Sequence, residues 1–171
     1  MNSYIKYSFK FSLGVFLISL LVHILAIFQI TVISRFPVFI LHVLTIGVCF
    51  IAFFQLRSKE GPNIDLAKYF KEKFSGKLNW VPILLVLLFI YNFINFFLGF
   101  SNYVGTPDIW DGKYVLHDHG SLIREITEKE YRLERTKEIK MFSSFWVLFS
   151  GVSSAMLYER LPHFPFQSSS H

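Results

Sequence analysis

The residues with the most chemical potential in this chain are polar side chains set inside apolar sequence. His23 and His42 lie in two separate hydrophobic runs, Thr45 follows His42 by three residues, and Asn92 and Asn95 share a third run. Ionisable groups in such positions are candidates for function by default. Two imidazoles from adjacent helices could ligate a haem iron, relay protons, or hold a quinone or a polar headgroup. The competing reading is structural: neutral histidines and asparagines hydrogen-bond one another and fix helix register. A second candidate set is polar, Asp111 with His117-Asp118-His119. Alternate residues on a strand point the same way, so both imidazoles could face one ion. Zinc, however, needs three or four protein ligands, so a polar loop at a turn is the expectation and no metal site is assigned. Asp108, Asp111 and Asp118 show no acid–base spacing. There is no GxSxG, HExxH, phosphate loop or EF-hand. No catalytic residue is assigned, and the cofactor, if any, stays unspecified.

These groups need elements to position them, and composition says which. The chain has 171 residues, 53% hydrophobic, with 21 Phe and only 17% charged. Soluble domains carry about a quarter charged residues. Here the charges are also segregated. Four runs approach the ~20 apolar residues that cross a ~30 Å hydrocarbon core: 11–33, 37–56, 80–100 and 141–158. The fourth is the weakest, with Ser143, Ser144, Ser150, Ser153 and Ser154, although serines are tolerated where they bond to backbone or to a neighbouring helix. The first run is too long for a cleaved leader and no small-x-small site follows it. A retained helix is expected. Cys49 is the only cysteine, so no disulfide framework or CxxC site exists and an inert buried thiol is expected. The predicted fold is an all-α membrane protein: a four-transmembrane-helix bundle with a small β-hairpin-containing segment outside the membrane between helices 3 and 4.

The runs divide the chain. Residues 1–56 form a first hairpin closed by Ser34-Arg35-Phe36-Pro37. Residues 57–79 form a basic loop in which Leu66, Phe70 and Phe74 recur every four positions with Lys68, Lys71, Lys73 and Lys77 interspersed. That pattern predicts a short amphipathic helix, ended near Gly76, which lies on anionic headgroups or packs on the end of the bundle. Residues 101–140 are the largest polar piece. Asp111-Gly112 and His119-Gly120 mark tight turns between short strands. Thr127-Glu128-Lys129-Glu130 is a capping box, with Ile126 and Tyr131 placed as a staple. The helix it starts is predicted to run as a solvated stalk into the fourth span. Residues 159–171 are a tail.

Small or polar residues recur at helical spacing in each run. They are Ser12, Ser19, His23 and Ala26; His42, Thr45, Cys49 and Ala52; Asn92, Asn95 and Gly99; and Ser150, Gly151, Ser154 and Ala155. Such stripes predict faces that meet between helices. Counting from the expected span ends at ~1.5 Å per residue, His23, His42, Asn92 and Asn95 share one half of the membrane, roughly 8–15 Å deep. It is the half adjoining residues 101–140. The two histidines are offset by about five residues, or roughly 7 Å, which is awkward for one flat macrocycle.

The segment Gly105-Thr106-Pro107-Asp108-Ile109, Asp111-Gly112-Lys113-Tyr114-Val115-Leu116, His119-Gly120, Ile123-Arg124-Glu125-Ile126-Thr127 and Glu130-Tyr131 resembles a stretch of small, uncharacterised bacterial multi-pass membrane proteins, where it precedes the last membrane helix. The resemblance covers roughly residues 105–131. It implies a bacterial membrane protein and no activity. This chain departs from it after Tyr131, where charged Arg132-Leu133-Glu134-Arg135 stands in place of polar and aromatic residues.

The formal charge of +5 beside apolar spans points to anionic lipid, not nucleic acid. Lys6, Lys10, the basic 57–79 loop and Arg160 share one side of a four-span chain. The positive-inside rule therefore places both termini in the cytoplasm and 101–140 outside the inner membrane. The expected function is non-enzymatic: an accessory subunit or immunity or defence factor that binds a membrane partner or itself. The alternatives are a haem or quinone redox protein using His23 and His42, and an oligomeric channel or small transporter.

Overall fold

The computed structural model describes residues 2–30, 34–74 and 78–161. In order, the elements are α1 (Asn2–Ile27), α2 (Arg35–Glu60), α3 (Leu66–Lys73), α4 (Trp80–Ser101), β1 (Thr106–Trp110), β2 (Lys113–Asp118), β3 (Ser121–Glu125) and α5 (Glu128–Glu159). Four helices, α1, α2, α4 and α5, are long and apolar enough to cross a membrane. Their apolar faces are largely turned outward: Leu17, Ile18, Leu21, Phe39, Phe53, Phe54, Ile83, Leu87, Phe93 and Phe97 are all exposed.

The helix ends differ from the expected boundaries in physical ways. The first run was expected over 11–33, but α1 takes in the polar N-terminal residues and stops at Ile27. Gln29 adopts a left-handed φ of 58°, which breaks helical hydrogen bonding there. Residues 31–33 lie outside the described residues. α2 continues past Leu56 to Glu60 and stops at Gly61, whose φ of 89° only glycine adopts without strain.

α5 is the element on which the others are assembled. It packs along α1, α2 and α4, and α1 also packs on α2, while α4 finds its main contacts on α5. The serines explain this. Ser143, Ser144, Ser150, Ser153 and Ser154 are all buried, and residues this small let neighbouring backbones approach. Two apolar clusters pack alongside the serines. Val15, Leu41, Val48 and Trp146 form one. Ala52, Leu56, Tyr69, Met156 and Leu157 form the other.

α5 begins at the expected capping box. The Thr127 hydroxyl accepts from the Glu130 amide, and the Glu130 carboxylate accepts from the Thr127 amide. From there the helix runs 32 residues without interruption.

The polar segment between α4 and α5 is a three-stranded antiparallel sheet in the order β1-β2-β3. Asp111 and His119, with φ of 49° and 48°, sit in its two turns before Gly112 and Gly120. Gly105, with φ of 122°, turns the chain from α4 into β1. A Cβ there would stand 2.7 Å from the Ile123 side chain and 3.2 Å from the His117 carbonyl. The sheet rests on α5 through β1 and β2. It is also tied to α2, because Arg35 pairs with Asp108 at 2.7 Å and donates to the Pro107 carbonyl at 3.0 Å.

Burial alone would push the Asp108 carboxyl up. The Ile109 amide, the Arg35 guanidinium and the Trp110 side chain outweigh it and hold the group below its ordinary value of 3.8. A depressed carboxyl stabilises the fold above its unfolded-state value, and that contribution is lost as pH falls through the lower folded value. The thermal midpoint in detergent is therefore expected to drop on acidification from pH 6 to below pH 4. Asp108→Asn should start lower and show a smaller drop, and an unchanged drop in that variant would remove Asp108 as its source.

Candidate functional site

Three of the predicted candidates converge on one turn of α5, Lys140–Ser144. His23 is 5% exposed. Its Nδ1 lies 2.8 Å from the Ser143 hydroxyl and its Nε2 2.8 Å from the Tyr91 hydroxyl. The Asn95 amide donates to the Ser144 hydroxyl at 3.0 Å and to the Lys140 carbonyl at 3.1 Å. The Ser144 hydroxyl is 2.7 Å from the Asn92 side-chain oxygen and 2.7 Å from the Met141 carbonyl, alternative acceptors for its one proton. α1 and α4 are thus fastened to the same turn of α5 through polar side chains.

A hydroxyl is both donor and acceptor, so Ser143 and Tyr91 satisfy His23 in either neutral tautomer, and the Lys140 carbonyl at 3.3 Å offers the Ser143 proton a second acceptor. Both ring nitrogens of His23 are engaged.

His42 stands apart from this group. It is exposed on α2, with its ring edge-on to Phe142 and Trp146. The Trp146 indole donates to its Nδ1 at 3.0 Å. Since that nitrogen accepts, the neutral ring carries its proton on Nε2. Thr45 is buried but donates to the Leu41 carbonyl of its own helix at 2.9 Å. The expected mutual cluster of His23, His42, Thr45, Asn92 and Asn95 is therefore corrected. His23, Asn92 and Asn95 meet through Ser143 and Ser144, while His42 and Thr45 do not join them. A neutral indole and a backbone carbonyl satisfied those two locally.

The network came from residues the sequence had marked only as tolerated. Ser143, Ser144 and Trp146 lie on the weakest run, and Tyr91 directly precedes Asn92. The available signal was the recurrence of serine on one face of that run.

The polar turn also borders a cleft of about 730 Å³ between the end of α4, the start of β1 and the α5 stalk. Leu98, Phe100, Val104, Met141 and Phe142 supply its apolar wall, and Asn95, Glu134, Lys137, Glu138 and Lys140 its polar lining. Gly99 lines it too, and a Cβ there would approach the Met141 sulfur to 3.1 Å.

The candidates on the sheet separate as well. His117 stacks on Trp110 at 5.1 Å and lies 3.7 Å from the Asp108 carboxylate. The His119 side chain is 94% exposed and sits 2.9 Å from Asp118. His119 lies past the end of β2, in the turn with its φ of 48°, so the strand alternation that the shared-ion reading required does not reach it. Asp111 occupies a turn. Among the described residues, no three His, Cys, Asp or Glu side chains gather as a metal site.

At the far end of α5 lies a group that sequence reasoning missed. Glu159 is 2% exposed. It accepts from the Tyr69 hydroxyl at 2.9 Å, and the Lys59 ammonium stands 3.5 Å away. Burial, together with the nearby carboxylate, raises the Tyr69 phenol well above its ordinary value. α3 is thereby docked on the helix ends, with Tyr69 and Phe74 buried and Leu66 exposed. Of the predicted basic set, Lys71 is exposed, Lys68 lies 3.9 Å from Glu72, and Lys73 lies 4.0 Å from Glu60. Lys77 and the expected stop at Gly76 lie outside the described residues, as do His163 and His171.

Ser144→Ala strips Asn92 of its bonded hydroxyl and is expected to cost about 1–2 kcal/mol. Adding Asn92→Leu should cost little more, because both partners are then apolar. A thermal double-mutant cycle in detergent measures this, and fully additive losses would contradict the pairing. No protein-family model, no curated protein and no solved structure matches the chain.

Proposed function

We propose that the chain is a four-span integral membrane protein, a four-transmembrane-helix bundle with its sheet outside and both termini cytoplasmic. It resides in a bacterial inner membrane and acts without catalysis, by binding a protein partner within the bilayer, a further copy of itself included. One observation carries this reading. His23, Asn92 and Asn95, set within the apolar helices, are engaged in closing the molecule on itself, while α4 is held through one polar stripe and turns its other faces outward. Exposed large apolar surface in a span meets either lipid or another span, and α4 offers Ile83, Leu87, Ile90, Phe93, Ile94 and Phe97. The basic residues of α3 and its flanks support the orientation by the positive-inside rule.

The redox alternative finds little in the geometry. Ligation by His23 would break its bonds to Tyr91 or Ser143, and ligation by His42 through Nδ1 would displace Trp146. Freshly purified protein is expected to show no Soret band, and a Soret band lost in His23→Ala would restore the haem reading. A pore within one subunit is opposed by packing, since Trp146, Val15 and Val48 are buried across the middle of the helices.

Association is tested with single cysteines at Leu87 or Phe93 in a Cys49→Ser background. Oxidation in native membranes is expected to give a discrete cross-linked product, and light scattering in mild detergent a mass above the 20.1 kDa chain. A strict monomer with no cross-link at either position would overturn the proposal.

A further inference from the structure

The cleft between α4, β1 and α5 has a chemistry of its own. Its volume, about 730 Å³, falls within the range of small-molecule pockets, roughly 300–1,000 Å³. Its wall is apolar, but its charged lining is unevenly matched. Lys137 is paired with Glu134 at 2.7 Å, and Glu138 is paired with Arg135. Lys140 also lines the cleft, and among the described residues no carboxylate lies within ion-pair reach of its ammonium.

Position adds to this. α4 ends at Ser101, and Met141 begins the apolar part of α5. On the four-span reading, on which this inference rests, that level is the junction of hydrocarbon and headgroups on the sheet side. Amphipathic cations at such a level interact with anionic headgroups. An apolar wall directly beside an uncompensated cation matches a molecule with an acyl chain and a negatively charged head.

We infer that this cleft is a binding site for an anionic phospholipid, with acyl chain against Leu98, Phe100 and Met141, headgroup phosphate at Lys140, and Val104 at the mouth. Asn95 closes the floor, since its amide is already bonded to Ser144 and the Lys140 carbonyl. The site is separate from the α3 lysines at the opposite end of the helices and from the outward faces of α4.

Native mass spectrometry of the full chain in mild detergent tests this, titrating phosphatidylglycerol, phosphatidylcholine and inorganic phosphate separately. One phosphatidylglycerol per chain is expected, bound about fivefold more tightly than phosphatidylcholine, the effect of one headgroup–lysine contact. Lys140→Gln should abolish the preference, and Lys140→Arg should keep it. Val104→Trp, at an exposed position at the mouth, should weaken both lipids. Lys68→Gln with Lys71→Gln should change neither. Equal binding of the two lipids, or a preference that survives Lys140→Gln, would overturn the inference. Displacement of phosphatidylglycerol by millimolar inorganic phosphate would overturn it too, by showing an anion site with no part for the acyl chain. Alkaline carbonate extraction separates the two levels of the claim. Protein released by carbonate without detergent sinks the four-span reading, whereas carbonate-resistant protein with no lipid preference sinks only the cleft.

Discussion

A hydroxyl at the contact between two apolar helices is costly to leave without an acceptor, because hydrocarbon side chains supply none; Ser19 of α1 is left so, whereas every serine of α5 is bonded. α5 answers this constraint repeatedly along its length. Ser143 and Ser144 bond across to α1 and α4, and the Ser154 hydroxyl meets that of Ser12 of α1 at 3.0 Å. Ser150 and Ser153 return to carbonyls of their own helix. Because each serine is also small, the same positions that require partners let those partners approach. The apolar cluster around Trp146 lies between Ser144 and Ser150, and the one around Met156 lies beyond Ser154.

The two ends of this arrangement are closed differently. At the sheet end, Arg35 reaches from the first residue of α2 to Asp108, so the short first hairpin and the sheet are held by one exposed ion pair and a carbonyl. Exposed pairs stabilise by only about 0–1 kcal/mol. The sheet also packs on α5 through β1 and β2, the strands that carry the buried Pro107, Val115 and Leu116. At the other end the closing group is Glu159, a carboxylate kept out of water by Tyr69 and Lys59. Removing one partner of such a group costs more than the pair contributes, so α3 is fixed in place by what its departure would leave uncovered.

Much of the architecture was legible in the sequence because it depends on local pattern. Run length identified four helices able to cross a membrane. Asp-Gly and His-Gly turns marked the strands, and Thr127 with Glu130 marked the start of α5 to the residue. The site was legible only in part. His23, Asn92 and Asn95 announced themselves as polar residues in apolar surroundings, but their partners did not. Serine in a helix is ambiguous, since it bonds backward to its own carbonyl or outward to a neighbour with similar ease. Ser143 and Ser144 do both, each meeting a carbonyl of its own helix and a side chain of a neighbour, and no spacing shows this. His42 looked equivalent to His23, yet rotation of α2 about its axis turned it to the exterior, and that rotation depends on how Leu41, Thr45 and Val48 pack. The pairs Arg35–Asp108 and Tyr69–Glu159 join residues far apart in sequence, where local pattern carries no information.

α5 is one uninterrupted helix from Glu128 to Glu159, about 48 Å at ~1.5 Å per residue. It contains no proline, and its single glycine, Gly151, is packed beside Phe16. A rod of this kind has no joint at which to absorb motion. The sheet packs against one end, and the Tyr69–Glu159 contact ties α3 to the other. The sheet end and the α3 end are thereby joined by one continuous helical hydrogen-bond ladder, with no break between Thr127 and Arg160.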